Sequence, residues 1–307
     1  MILSVCMSPC TDVTIELDSL NVGKTNVVKS KTVGFGGKAL NVAIGVARLG
    51  GDPFATGVMY EDNAAMFENA LSKEGVLFDF IHNHGRAREN YKFIDSRAML
   101  TEVNDVGTAV EENVLCGVLE LVKEYSAKSR VVVLSGGLPR GVGGDYYGEL
   151  AGAVDKTCLK IIDASGDRLR SALKTGADLI KPNLEELENT IGRCIQSKED
   201  MLAACYELID YGAKRVLLSL GKEGAILTDG TRNYHCKSIN VAVNSTVGAG
   251  DGMVAAAAMK LQEDAPLSEI LRAGVAAGTA TVMTTGQVSF TREKYMEVLA
   301  GLRVAEF

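Results

Sequence analysis

The feature that most constrains this chain is an alternation of short β-rich runs with longer stretches of helical period. The runs lie at residues 2–6, 131–135, 159–163, 179–181 and 216–219, and the helical stretches at 39–49, 64–73, 111–125, 200–211 and 254–261. Such alternation builds βαβ units, which predicts a mainly parallel sheet with helices on both faces. Two polar, alternating segments, 11–33 and 89–104, interrupt it early and lack helical period. Each is expected to form a hairpin or strand pair, and together one small β-sheet lid over the carboxyl edge of the main sheet, where open α/β folds bind ligands. The predicted division is a main domain of 1–10, 36–86 and 106–307, with a lid of 11–35 and 87–105. Residues 267–302 read as helical, broken at Gly286.

Composition limits what the chain does. With 307 residues, 47% hydrophobic and 23% charged, it can bury a sizeable core. A net charge of −7 argues against a broad nucleic-acid surface, which needs clustered Lys and Arg. No run reaches the roughly 18 apolar residues that span a bilayer, and the amino terminus reads as a buried strand, so the expected location is the cytoplasm. The seven cysteines form no CxxC pair and read as free thiols. His82, His84 and His235 lack metal-ligand spacing and receive no role.

Two apparent nucleotide signatures fail on spacing. Gly23-Lys24-Thr25 resembles the end of a P-loop, but the required first glycine position holds Asp18. A dinucleotide fingerprint should join the first strand to the first helix, where the polar segment 11–33 stands instead. The informative stretch is NSTVGAGDG at 244–252, ahead of the small-residue helix expected at 253–260. Gly248, Ala249 and Gly250 at a helix amino terminus can aim several N–H groups at one anion, aided by the helix dipole. Asp251 can then accept a proton from a hydroxyl attacking phosphorus. The plainer alternative makes Asp251 a helix cap and the glycines a turn.

Other positions carry paired readings. Gly36 and Gly37 before a helix allow close approach to a sugar hydroxyl, or are an ordinary turn. Asp12, read as the end of strand one, and Asn41, one turn into the helix, can bond vicinal hydroxyls or cap local structure. Lys24, Lys38, Arg88 and Lys92 would make a cationic pocket in an acidic protein, or be solvated surface. Asn183 and Glu186 could sit at the start of a surface helix.

The stretch at 244–252 resembles the TxGAGD signature of the PfkB (ribokinase-like) carbohydrate kinases, in the form found in 1-phosphofructokinases. GGKALNVA at 36–43 with RLG at 48–50 resembles the family's amino-terminal signature. RENYK at 88–92 and TEVN at 101–104, SGGLPRG at 135–141, DASG at 163–166, KPNLEE at 181–186 and SLGKEGA at 219–225 follow in family order. The resemblance implies a three-layer α/β/α domain with a β lid, and ATP-dependent phosphorylation of a phosphorylated ketohexose, first of all fructose 1-phosphate. Tagatose 6-phosphate and fructose 6-phosphate are rival acceptors. An unphosphorylated sugar or nucleoside, or a non-catalytic sugar-phosphate sensor, stands further off.

It further implies Asp251 as base with Gly248, Ala249 and Gly250 as the anion nest. Asp12, Lys24, Gly36, Gly37, Lys38, Asn41, Arg88 and Lys92 would bind the sugar phosphate. Lys181, Asn183, Ser219, Gly221, Gly224 and Val247 would bind ATP, and Glu186, paired with Asn183, would organise water around Mg2+. A homodimer through the exposed lid strands is expected. The chain departs from the family pattern at Ser8, where Asn is usual, at Ala39 for a glycine, and at Gly252 for a serine.

Overall fold

A computed structural model describes residues 1–97, 99–284, 288 and 290–307. In chain order, β1 (Ile2–Cys6) is followed by β2 (Cys10–Leu17), β3 (Val28–Gly36), α1 (Lys38–Arg48), β4 (Pro53–Tyr60), α2 (Ala64–Lys73) and β5 (Leu77–Asn83). Then come β6 (Arg88–Ile94), β7 (Leu100–Asn104), α3 (Glu112–Ser126), β8 (Val131–Ser135), α4 (Tyr146–Ala153), β9 (Leu159–Asp163), α5 (Asp167–Leu173), β10 (Leu179–Ile180) and α6 (Leu184–Ile191). The carboxyl part holds α7 (Lys198–Asp210), β11 (Val216–Ser219), β12 (Ala225–Thr228), β13 (Asn233–Cys236), α8 (Ala249–Gln262), α9 (Leu267–Val282), α10 (Arg292–Gly301) and β14 (Val304–Glu306).

The main sheet has the order β14-β13-β12-β11-β10-β9-β8-β1-β4-β5. From β5 to β11 every pairing is parallel, and β12, β13 and β14 add antiparallel at one edge. Strands β1, β8 and β10 are buried along their whole length and largely apolar because both faces are covered. Leu3, Val5, Val132 and Leu134 point into a core shared with α3 to α7, while Ile2, Val131 and Val133 point into a second core under α8 and α9. Period-two side-chain alternation thus feeds two helical layers from one run of residues.

The polar segments form a separate four-stranded sheet of order β3-β2-β6-β7. β2 pairs antiparallel with β3 and parallel with β6, in a register that sets Cys10 against Arg88, Asp12 against Asn90 and Thr14 against Lys92. Asp12 is therefore inside β2, and the expectation that it ends strand one is corrected. The turn at Met7-Ser8-Pro9 starts a new sheet before Asp12 is reached.

Two further boundaries differ from expectation. Helix α8 starts at Ala249 instead of Met253, because Gly248 takes a left-handed φ of 82° and supplies the helix start without a side-chain cap. Within 267–302, α9 ends at Val282, ahead of the expected break, and α10 resumes at Arg292; β14 lies beyond that stretch and pairs antiparallel with β13. The break expected at Gly286 lies outside the described residues. The seven cysteines are unbridged. No described helix is long and apolar enough to cross a membrane.

Candidate active site

Parallel βα units point the carboxyl ends of their strands, and the amino ends of the following helices, to one side of the sheet. A cleft of about 440 Å³ lies there, roofed by the second sheet. The spacing of Arg88, Asn90 and Lys92 places all three on one face of β6, and the register brings Asp12 onto the same face of β2. Lys92 Nζ lies 3.3 Å from Asp12 Oδ1. Opposite them are Gly37, Lys38 and Asn41 at the start of α1, and Val247, Gly248, Gly250 and Asp251 at the start of α8.

Asp251 is 6% exposed and accepts a hydrogen bond from Asn41 Nδ2 at 2.7 Å. Burial, reinforced by the Asp163 charge, pushes its carboxyl up to about 6. The Asn41 bond and the Lys38 and Lys181 charges act the other way. A carboxylate at that value is deprotonated near neutral pH yet basic enough to take a proton. The plain capping reading of Asp251 does not hold, since it sits inside the first turn of α8 and Gly248 is the cap. In that first turn the Ala249 N–H donates to the Thr246 carbonyl oxygen at 3.4 Å, while the Gly250 and Asp251 N–H groups have no helical acceptor and are available to an anion.

Beneath this point lies a buried charge cluster. Asp163, 1% exposed, pairs with Lys181 at 3.1 Å and Lys38 at 3.6 Å, and accepts from Ser135 Oγ at 2.9 Å. Burial acts to raise the Asp163 carboxyl, but Lys181, Lys38 and Ser135 together hold it below the ordinary carboxylate range. Asp163 in turn, opposed by burial and helped by Glu186, holds Lys38 above its usual value. Lys38 therefore carries its full charge beside the nest. Lys181 Nζ would stand 3.2 Å from a Cβ on Gly250, so the glycine leaves the ammonium open to the nest.

Asn183 and Glu186 form a capping box at the start of α6: Asn183 Oδ1 accepts from the Glu186 N–H, and Glu186 Oε2 accepts from the Asn183 N–H. The helix-start reading is therefore realised. Glu186 nevertheless turns its other oxygen to Lys38 Nζ at 3.2 Å, and both residues line the cleft.

A second cavity, of about 360 Å³ and mostly apolar, lies on the other side of the α8 amino terminus. Ser219, Gly221, Gly224 and Ala249 line it, together with Ile239, Val243, Val275 and Val282. At Gly224, with φ of 85°, a Cβ would fall 1.9 Å from the Cys236 carbonyl oxygen, so only glycine fits. Ser219 and Gly250 line both cavities and mark where they meet.

Two expected site residues stay outside. Lys24 is exposed on the β2–β3 connection and lines neither cavity. From Asp12 the strand runs on five residues to Leu17, roughly 17 Å, before that connection begins. Gly36 is buried at the end of β3, paired with Cys10, and its neighbour Gly37 reaches the cleft instead. The sequence reading gave no role to Asp163, Ser135 or Asn90. The resemblance of RENYK at 88–92 and the period-two spacing of Arg88, Asn90 and Lys92 are the signals that point to Asn90.

Three comparisons bear on these cavities. The family described as pfkB family carbohydrate kinase matches residues 3–294. A 1-phosphofructokinase of Borreliella burgdorferi is 30% identical over 100% of this chain and 99% of its own, and an ATP-dependent 6-phosphofructokinase isozyme 2 of Escherichia coli is 34% identical over 82% of each. A crystal structure of phosphofructokinase-2 from Escherichia coli in complex with potassium superposes with a TM-score of 0.91 at 30% identity, covering 98% of both chains.

Proposed function

Because the chain belongs to the pfkB family of carbohydrate kinases and is a phosphotransferase acting on an alcohol group, we propose that it converts fructose 1-phosphate to fructose 1,6-bisphosphate with ATP. The observation that carries this reading is the meeting of a polar, cation-lined cleft and an apolar cavity at Gly250, with Asp251 beside the junction. The apolar cavity suits adenine, and the polar cleft suits a sugar phosphate.

Asp251 accepts the proton of the acceptor hydroxyl as its oxygen bonds the terminal phosphorus. The bond from that phosphorus to the bridging oxygen breaks, and ADP leaves with the electron pair. Charge on the transferring group meets the N–H groups of the first turn of α8 and the Lys38 and Lys181 ammoniums. Arg88 and Lys92 hold the phosphate already on the sugar, and Asp12 and Asn41 hold its hydroxyls. The sheet of β2, β3, β6 and β7 acts as a lid that excludes water, which competes with the sugar hydroxyl.

The donor set fits a hydrated Mg2+ carried with ATP. Among the described residues no three His, Cys, Asp or Glu side chains cluster as a cage, while Glu186, whose Oε1 accepts from Lys38, lines the cleft as a single carboxylate. Bound there, the ion supplies neutralising charge to the phosphates.

A second reading takes fructose 6-phosphate as acceptor, favoured by the identity to the 6-phosphofructokinase isozyme of Escherichia coli. A coupled ADP-release assay against fructose 1-phosphate, fructose 6-phosphate, tagatose 6-phosphate, fructose and ribose separates the two. Preference for fructose 1-phosphate supports the first; turnover of none overturns both. Exposed Val33, Leu100 and Val103 on the lid strands support pairing with a second copy, and a monomeric mass across a concentration series would exclude it.

A further inference from the structure

Arg88 is held on three sides within the cleft. Its Nε donates to Ser8 Oγ at 3.1 Å and its Nη1 to Asn90 Oδ1 at 2.9 Å. Asn90 is oriented in turn by Nδ2 donating to Asp12 Oδ1 at 3.4 Å. Along the stem, a Cβ on Gly107 would lie 3.1 Å from Arg88 Cβ and 3.7 Å from Cδ, so that glycine closes over the alkyl chain. Two of the three guanidinium nitrogens are thereby committed, and Nη2 makes no hydrogen bond among the described residues. Ser8, Arg88 and Asn90 all line the cleft.

A guanidinium recognises phosphate through a planar fork, so its orientation decides whether it meets the tetrahedral oxygens or passes beside them. A free arginine side chain must lose much rotamer freedom on binding, whereas one already bonded at Nε and Nη1 has lost it beforehand. A serine hydroxyl that accepts from Nε still has its own O–H to donate, and phosphate oxygens are strong acceptors.

We propose that Ser8 and Asn90 are positioning residues for Arg88, that the Ser8 hydroxyl completes the phosphate-binding fork, and that this unit selects a phosphorylated over an unphosphorylated acceptor. The proposal rests on the reading of the cleft as a sugar-phosphate site. It assigns Ser8, a departure from the family pattern, a donor function in this chain.

The test compares Ser8→Ala, Asn90→Ala and Ser8→Thr with the unaltered protein, each checked for an unchanged circular dichroism spectrum. Ser8→Ala and Asn90→Ala are expected to raise KM for fructose 1-phosphate about tenfold, with kcat falling less than threefold and KM for ATP moving less than twofold. Ser8→Thr, which keeps the hydroxyl, restores most of the loss. Calorimetric titration with inorganic phosphate, the nucleotide site filled by a non-hydrolysable ATP analogue, reads the same unit without turnover. If the unaltered protein turns over no ketose phosphate yet binds phosphate, the acceptor reading fails, and a tenfold weakening of phosphate binding in Ser8→Ala still sustains the clamp. Equal effects on phosphate and ATP, unchanged phosphate affinity in both alanine variants, or no phosphate binding by the unaltered protein overturns it.

Discussion

Asn41 and Asp251 stand 210 residues apart in the chain, yet Asn41 Nδ2 donates to Asp251 Oδ2 at 2.7 Å. The bond joins the first turns of α1 and α8 at the floor of the cleft and holds one carboxylate oxygen in place. It also favours the anion of an acid that burial pushes toward protonation.

Asp251→Asn keeps the shape and removes the base. Turnover is expected to fall by about three orders of magnitude, in the range of lost general-base catalysis. ATP affinity should change little, because the apolar cavity is untouched. ADP release and nucleotide titration on the same preparation check both halves, and turnover above a tenth of the unaltered rate removes Asp251 from the role.

The acid limb of kcat/KM should fall near pH 6, where the Asp251 carboxyl titrates. Asn41→Leu deletes a bond that stabilises the anion, so the limb should move to higher pH while kcat drops about tenfold. A limb moving to lower pH would contradict this electrostatic account.

The same shift has a stability consequence with a definite sign. Asp251 rises from 3.8 to about 6 on folding, so its favourable contribution is complete below 3.8 and is lost as pH rises through 6. At pH 8 the buried charge costs about 3 kcal/mol. Asp251→Asn should therefore melt above the unaltered protein at pH 8, with the gap closing toward pH 4. Thermal melts at the two pH values decide the matter, and a gap that widens on acidification would refute it.

Gly252 departs from the serine of the signature that the stretch at 244–252 resembles, and packing accounts for the glycine. A Cβ there would lie 2.6 Å from Thr281 Oγ1 and 3.2 Å from the Ala277 carbonyl oxygen, and Thr281 Oγ1 itself donates to that carbonyl at 2.8 Å. Gly252→Ser should destabilise by about 1–3 kcal/mol through overpacking of α8 on α9. Adding Thr281→Ala should recover part of the loss, and a double-mutant cycle by denaturant unfolding measures the coupling.

Strands β1, β8, β9 and β11 were legible residue for residue because a strand buried on both faces is a continuous apolar run. The start of α8 was not, since Gly248 opens that helix through backbone conformation and leaves no Ser, Thr, Asp or Asn cap to find. β14 has only three residues, and its strand character comes from pairing with β13. Lys24 was grouped with Arg88 and Lys92 by charge, but β2 carries it beyond the cleft.

From its sequence alone this protein has its alternating α/β order, its polar second sheet, the glycine turn ahead of Asp251 and the one-sided spacing of Arg88, Asn90 and Lys92. All of these are local periodicities or backbone requirements, written within a few residues. Tertiary structure alone decided that Asp163 bridges Lys181 and Lys38, that Asn41 reaches Asp251, and that Ser8 meets Arg88. Those relations depend on long-range chain closure and on desolvation, which set charge and orientation and which no short window of residues contains.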